Sequence, residues 1–439
     1  MHDFAIYGSG FASYSIAATA LEAGCRVLVV EKGPRADFSK SVALSQVVSL
    51  WEPVESAVKF PSNEYGLHAK TPPHFIALGG TSRLWSGKWR RLDKVDFIRA
   101  REGRCWPFNE EELSVHYQAV TKRFGFSQKK SASAEIRKHV AAVGLRLVST
   151  TLSDPVRLAE KWARLVSEYS KLTIFCDVHR IDFRLNRGTI EDALIHGSNG
   201  FCKEVGAKHH VIAAGGIASA GLVRELYYAA TGTSQPFLGG YMDHPKGEAG
   251  IIWPTKNLEV LEALLSTKDV RFGFSLPEDE LLQGGIGNHV AFLQAPAVNG
   301  SLRYNPLPLQ LTIHVEQFPE NCNGIQYAPT PAVRWKISAD TRRNVDLFLR
   351  TLQLRMKALF GRCEFKSWVD LRAASHPCGC TPLSQTPGTC HLDPSGRLHR
   401  LKNAYCISSS AFPISGSANP TMTIAALGNK FVRDVISSM

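Results

Sequence analysis

Residues 4–33, FAIYGSGFASYSIAATALEAGCRVLVVEKG, constrain the fold more than any other stretch of the chain. Phe4–Tyr7 reads as a short apolar strand, Gly8-Ser9-Gly10 as a tight turn, and Phe11–Ala23 as a helix of small residues that Gly24 closes. Arg26–Val30 is a second buried strand, and Glu31 ends it. A strand, glycine turn, helix, strand and acid in this register form a dinucleotide-binding unit. Gly10 lets the backbone approach a pyrophosphate with no side chain between. The helix start then offers free N–H groups and the positive end of its dipole. Glu31 can accept hydrogen bonds from a ribose diol. Where the pattern G-x-G-x-x-G has its third glycine this chain has Ser13, small enough to keep helix and strand packed, though less closely. The unit does not choose between a flavin and a nicotinamide dinucleotide.

The chain has 439 residues, more than one hydrophobic core usually serves, so two domains are expected. Apolar residues at 44% and charged residues at 21% fit an ordinary globular protein. No apolar run is long enough to span a bilayer. The start, MHDFAIYGSG, enters a strand at once and leaves no room for a signal peptide, which points to the cytoplasm. In that compartment the ten cysteines are expected as reduced thiols. The net charge of +12 can reflect nucleic acid, anionic lipid or an acidic substrate. Its densest stretch, KWRRLDKVDFIRAREGR from Lys88 to Arg104, has seven basic residues interrupted by Asp93, Asp96 and Glu102. It reads as a solvated basic face, the alternative being an anion-attracting entrance. No nucleic-acid-binding motif surrounds it, and no nucleic-acid partner is expected.

Further pieces follow along the chain. HFIALGGTSRLWSGKWRRLDKVDF, from His74, has the pair Gly79-Gly80, which can bring backbone amides close to a ligand or simply turn the chain. Asn109 and Glu112 form a helix-capping box, with Gly125 as the stop. Residues 172–219 read as strand pairs with turns at Asn186-Arg187-Gly188 and Ser198-Asn199-Gly200. They end in a buried strand, Val211–Ala214, with Gly215-Gly216 opening a helix. Residues 246–338 alternate apolar and polar in short runs, an antiparallel sheet. Asp340–Gly361 is an amphipathic helix with Val345, Phe348, Leu349, Leu352, Met356 and Leu359 on one face, Asp340 as cap and Gly361 as stop. SHPCGCTPLSQTPGTCH gathers His376, Cys378, Cys380, Cys390 and His391, but not at the Cys-x2-4-Cys spacing of structural zinc sites. No metal is expected there, and its cysteines are expected as free thiols. Asn419-Pro420 opens the last helix, with Pro at its first position. On residue type alone, Asn419 is a helix cap and His376 a packed loop histidine.

The order YGSGFAS…VVEKG, LGGTSRLWSG, WPFNEEEL, HHVIAAGGIAS, LGGYMDHP, SHPCGC and GRLHRLKNAY…AFPISGSANPTMTIAAL resembles the glucose–methanol–choline (GMC) family of FAD oxidoreductases. The resemblance spans nearly the whole chain. It implies a mixed α/β fold in which a discontinuous, Rossmann-like FAD domain (1–50, 71–110, 170–245 and 376–439) is interleaved with a substrate domain built on an antiparallel sheet with helices (51–70, 111–169 and 246–375). It implies His376 as the base for a substrate hydroxyl and Asn419 beside it at the active site. It places FAD against Gly8, Gly10, Phe11, Ala12, Glu31, Lys32, Gly79, Gly80, Thr81, Ser82, Trp85, Val178, Ala214, Gly215, Ser408, Pro420 and Thr421. Ser408 stands where the family usually has an aspartate. Some relatives link the flavin to a histidine shortly after the Gly-Gly; TSRLW has none, so non-covalent FAD is expected. The implied reaction is oxidation of an alcohol on a polar small molecule such as a sugar or cyclitol, and the +12 charge favours an anionic one. The resemblance leaves the electron acceptor open, oxygen or another carrier. The alternatives are a non-redox lyase on the same fold and a flavin-free basic binding protein.

Overall fold

The computed structural model describes residues 1–34, 47–48, 75–101, 103–126, 132–197, 200–294, 308–327 and 332–438. Two sheets organise them. The first has six parallel strands in the order Ala404–Cys406, Ala207–Ile212, His2–Tyr7, Val27–Val30, Leu172–Phe175 and Val47–Val48. Its central strands are continuous apolar runs, as a parallel sheet covered on both faces requires. Val27–Val30 is buried at every position. Leu172–Phe175 enters this sheet beside Val27–Val30 rather than pairing as a hairpin.

The first helix, Phe11–Glu22, is buried along nearly its whole length. The last helix, Thr421–Ser437, lies against it so closely that a Cβ on Gly428 would sit 2.9 Å from the Ala12 carbonyl oxygen. Ser15 donates to the Ala425 carbonyl across the same contact (2.6 Å). Ser13, at the third glycine position, donates to the Ala213 carbonyl (3.1 Å), so the extra hydroxyl joins helix to sheet.

The second sheet has seven strands: Gly361–Phe365, Lys246–Pro254, Leu309–His314, Val290–Gln294, Val270–Ser275, Arg146–Leu152 and Lys88–Trp89. All neighbours are antiparallel. One face carries Val270, Phe272, Phe274, Ala291, Leu293, Leu309, Leu311 and Ile313, which pack on the helix Ala339–Phe360 through Val345, Phe348, Leu352, Met356 and Leu359. Alternation in a strand sends the intervening residues to the opposite face. The expected sheet is therefore present, and strands from residues 88–89, 146–152 and 361–365 extend it beyond 246–338. A meander of Val178–Asn186, Thr189–Gly197 and Cys202–Val205 turns at Asn186–Gly188, where Arg187 and Gly188 have positive φ. Of the second expected turn, Ser198 and Asn199 lie outside the described residues.

Several local expectations shift. The strand read as Val211–Ala214 is Ala207–Ile212, and Ala214 becomes the cap of the helix Gly215–Thr231. Ser338, not Asp340, caps the helix Ala339–Phe360: its hydroxyl accepts from Thr341 N (3.0 Å), while Asp340 lies inside the first turn and pairs with Arg343. The last helix begins at Thr421, with Pro420 in the cap position. The capping box of Asn109 and Glu112 and the stop at Gly125 are formed.

The basic stretch from Lys88 to Arg104 is not a solvated face. Arg90 and Arg99 are buried, Arg90 paired with Asp93 and Arg99 with Glu316 (2.6 Å). Burial is tolerable because each guanidinium meets a carboxylate inside the protein.

Candidate active site

Two glycine turns face each other at the C-terminal end of the parallel sheet's central strands. Gly8 has φ +111°, and a Cβ there would lie 2.5 Å from the Ala213 carbonyl oxygen, so strand and turn can approach only with glycine. An added Cβ at Gly10 would meet no atom within 4 Å, and one on Gly80 would lie 3.7 Å from Gly10 Cα. Ser9 ties the turns together: its Oγ donates to Glu31 Oε2 (2.5 Å) and accepts from Gly79 N (2.8 Å). Glu31 also accepts from Gly33 N (2.8 Å), and burial pushes its carboxyl up to about 7. Val178 N bonds the Glu31 carbonyl (3.1 Å), and Lys32 follows the acid, half-buried.

The remaining cofactor candidates surround these turns. Gly79 and Gly80 open a short turn through Arg83 in which Thr81 is exposed and Ser82 accepts from Leu158 N (3.2 Å). Phe11 and Trp85 meet edge to face at 5.3 Å, and Trp85 Nε1 is a buried donor with no hydrogen-bond partner. Ala214 N bonds Ser219 Oγ (2.9 Å), and Gly215 begins the next helix at φ +83°. The first helix, capped by Gly10, and the last, capped by Pro420 before Thr421, have no capping side-chain hydrogen bond and no acid in the first turn. A glycine-lined turn, two uncapped helix starts, a buried acid and an unmet donor fit FAD. Ser408 behaves differently. Its hydroxyl accepts from Ser410 N (3.2 Å) and contacts Ser410 Oγ (2.7 Å), so it is engaged within its own turn.

The chain brings His376 and Asn419 together across 43 positions. Asn419 Nδ2 lies 3.1 Å from His376 Nε2. The amide nitrogen only donates, so Nε2 accepts and the imidazole proton is on Nδ1. Asn419 does not cap the helix that follows it. Its loop is held by buried bonds: His244 Nε2 to the Ser415 carbonyl (3.1 Å), Ser415 Oγ to the Gln317 carbonyl (3.1 Å) and Arg90 to Ser417 Oγ (3.2 Å). Pro377 fixes the other partner. Its carbonyl accepts from Ser409 Oγ (2.6 Å), and a Cβ on Gly216 would press to 2.4 Å from it.

Asp243 and His244 also belong here, although the sequence suggested no role for either beyond the LGGYMDHP stretch. Asp243 Oδ1 accepts from the backbone N–H groups of His244 (2.6 Å), Ala374 (3.1 Å) and His376 (3.1 Å). The His244 and His376 rings meet edge to face at 5.3 Å. Asp243 Oδ2, His244 Nδ1 and His376 Nδ1 are buried without partners. Burial holds the His244 imidazole down to about 4, and holds His376 well below the usual histidine range, helped by His244, Lys246, His314 and Lys88. Both rings are neutral at pH 7. All ten cysteines are free, with Cys378, Cys380 and Cys390 buried.

The model of the GMC oxidoreductase family matches residues 327–428. No curated protein matches the chain. Solved structures align over its full length. Pyridoxine 4-oxidase from Mesorbium loti is 17% identical with TM-score 0.64, covering 100% of this chain and 99% of that one. An FAD-dependent oxidoreductase from Chaetomium thermophilum is 12% identical with TM-score 0.63, covering 100% and 99%. An R554A formate oxidase from Aspergillus oryzae RIB40 is 14% identical with TM-score 0.58, covering 100% and 98%. At these identities the structures speak for the fold. Residues 327–428 thus match the GMC oxidoreductase family, and the whole chain shares the fold of these three oxidoreductases.

Proposed function

We propose that the protein oxidises an alcohol group of a polar small molecule to a ketone or aldehyde, with non-covalent FAD, His376 as proton acceptor and Asn419 as orienter. The contact of Asn419 Nδ2 with His376 Nε2 at 3.1 Å carries this reading. FAD, when bound, supplies the acceptor for the hydride leaving carbon. The chain must then take the proton and hold the oxygen. A hydroxyl placed between the two side chains donates its proton to His376 Nε2, while Asn419 Nδ2 donates to the oxygen. Neutral His376 has an Nε2 lone pair for that proton, although burial and the neighbouring cations make it a weaker base than a free imidazole. Asp243 keeps it in place by clamping the backbone on either side of Ser375.

Atoms of Asp243, His244 and His376 lie within 4.8 Å of one another. We read this group as a scaffold rather than a metal site, since with His376 Nε2 accepting from Asn419 its Nδ1 carries the proton and has no lone pair for a metal. The parallel sheet with its glycine turns would form the FAD part, and the antiparallel sheet the substrate part. Among the described residues no helix is long and apolar enough to cross a membrane, and ten free thiols suit a cytoplasmic protein.

The test is anaerobic loss of the visible flavin band on mixing with a panel of alcohols. His376→Ala should slow it about 100-fold or more, the usual scale of general-base catalysis. Wild-type speed in that variant would sink the assignment. No bleaching by any alcohol, with flavin bound, would favour a lyase.

A further inference from the structure

The polar face of the antiparallel sheet carries a row of cations. Lys246 pairs in register with His314. The His314 ring lies 4.8 Å from Phe292, and the Arg271 guanidinium sits over Phe292 at 4.5 Å. Arg271 pairs with Thr150, and Leu152, two residues along the same face, pairs with Lys88. The row thus crosses the sheet from Lys246 to Lys88, on the face opposite the apolar core. It borders the proposed base directly. Lys246 follows Asp243-His244, and its backbone exchanges hydrogen bonds with Arg372 (2.9 Å each way), four residues before His376.

Lys88, Lys246 and Arg271 are half-buried, and among the described residues none forms an ion pair. Three other inward-turned arginines have carboxylates: Arg99 has Glu316, and Arg90 and Arg146 have Asp93. Glu248, an acid on the same face, is taken by Lys366 (3.1 Å). Arg271 is offset only by the Phe292 ring and Lys246 only by the nearby charge of buried Asp243, so the row keeps an excess of positive charge that an anion would lower. The crowding registers in the groups themselves. Burial, then each other's charges, lowers Lys88, and burial followed by Lys246, Arg271 and Lys88 holds His314 well below its usual range.

We propose that Lys88, Lys246 and Arg271 bind an anionic group, carboxylate or phosphate, of the substrate whose hydroxyl reaches His376. This rests on the alcohol-oxidising reading above and names its substrate class. A planar guanidinium pairs two oxygens of either group, and two ammonium groups supply further donors. The row of cations also explains the location of part of the +12 charge.

The test uses the FAD-loaded enzyme and needs no turnover. Titration with inorganic phosphate and, separately, acetate should perturb the flavin spectrum saturably, and the tighter probe tells phosphate from carboxylate. Arg271→Gln and Lys246→Met should each weaken that probe at least tenfold. Arg343→Gln, which removes an exposed helical charge, should leave it unchanged. Equal weakening by all three variants, or no saturable binding to wild type, would overturn the proposal. In the alcohol panel, hydroxy acids or phosphorylated alcohols should bleach the flavin at least tenfold faster than glycerol or glucose. Bleaching by neutral alcohols without probe binding removes the anion subsite and leaves alcohol oxidation standing. Probe binding without any bleaching does the reverse.

Discussion

Two neighbouring glycines should respond in opposite ways to the same substitution. Gly8→Ala puts a Cβ 2.5 Å from the Ala213 carbonyl oxygen and 2.7 Å from Ala214 Cα, both backbone atoms that cannot rotate away. It also asks an L-residue to hold φ +111°. Strain of about 1–3 kcal/mol for the backbone and about 1–3 kcal/mol for overpacking gives about 2–6 kcal/mol. That is a large share of the ~5–15 kcal/mol that holds a typical domain folded. Gly10→Ala meets no atom within 4 Å, and Gly10 already has φ −75°, which alanine adopts freely. Its stability cost is the loss of a good cap residue, below about 1 kcal/mol. Its methyl group, however, stands at the start of the first helix, where the pyrophosphate is expected. Denaturant titration of flavin-stripped protein and flavin content after purification separate the two effects. Gly8→Ala should lower the unfolding midpoint clearly. Gly10→Ala should keep the midpoint and lose most of the flavin. A Gly10→Ala protein that purifies with its full complement of FAD refutes the cradle.

The buried His289 makes acid stability testable. Its Nδ1 accepts from Glu316 N (3.1 Å), its Nε2 meets Asn344 Oδ1 (3.0 Å), and burial holds it down to about 3. The unfolded chain takes the proton near pH 6.5 and the folded one does not, so stability present above that pH is lost as pH falls toward 3, at up to about 1.4 kcal/mol per pH unit. Glu31 and Asp96, both pushed up to about 7, act with the opposite sign over the same interval. Comparison with His289→Gln therefore isolates the histidine: its unfolding midpoint should fall less between pH 6.5 and 4 than that of wild type, and parallel curves would contradict the assignment. Thiol titration checks the cysteines. Exposed Cys105, Cys202 and Cys322 should react rapidly, half-buried Cys25 and Cys363 slowly, and the buried five only on unfolding. Burial pushes Cys380 and Cys390 up to about 12, so rapid native-state labelling of either would show that their loop is open.

What was legible in the sequence follows contact distance along the chain. The glycine turn, first helix and Glu31 are local, and both period and turn chemistry announce them. The long helix was legible on its buried face, yet its cap was misplaced by two residues because Ser338 and Asp340 are both good caps and only the backbone decides between them. His376 and Asn419 were reached through motif order. Residue type alone made Asn419 a helix cap, which the contact with His376 Nε2 replaces. The basic stretch was misread because the partner of Arg99 is Glu316, 217 positions away. The cation row was out of reach for the same reason. Lys88, Lys246, Arg271 and His314 come from four strands, and alternation gives each a face but no neighbour. Register supplies the neighbours, and with them the proposed division of labour: the segments around His376 and Asn419 would carry the hydroxyl chemistry, while strands of the other sheet would bind the charge. Substrate choice can then change by substitution on the sheet without moving the base, so Arg271→Gln should alter which alcohols bleach the flavin far more than it alters the rate with a neutral one.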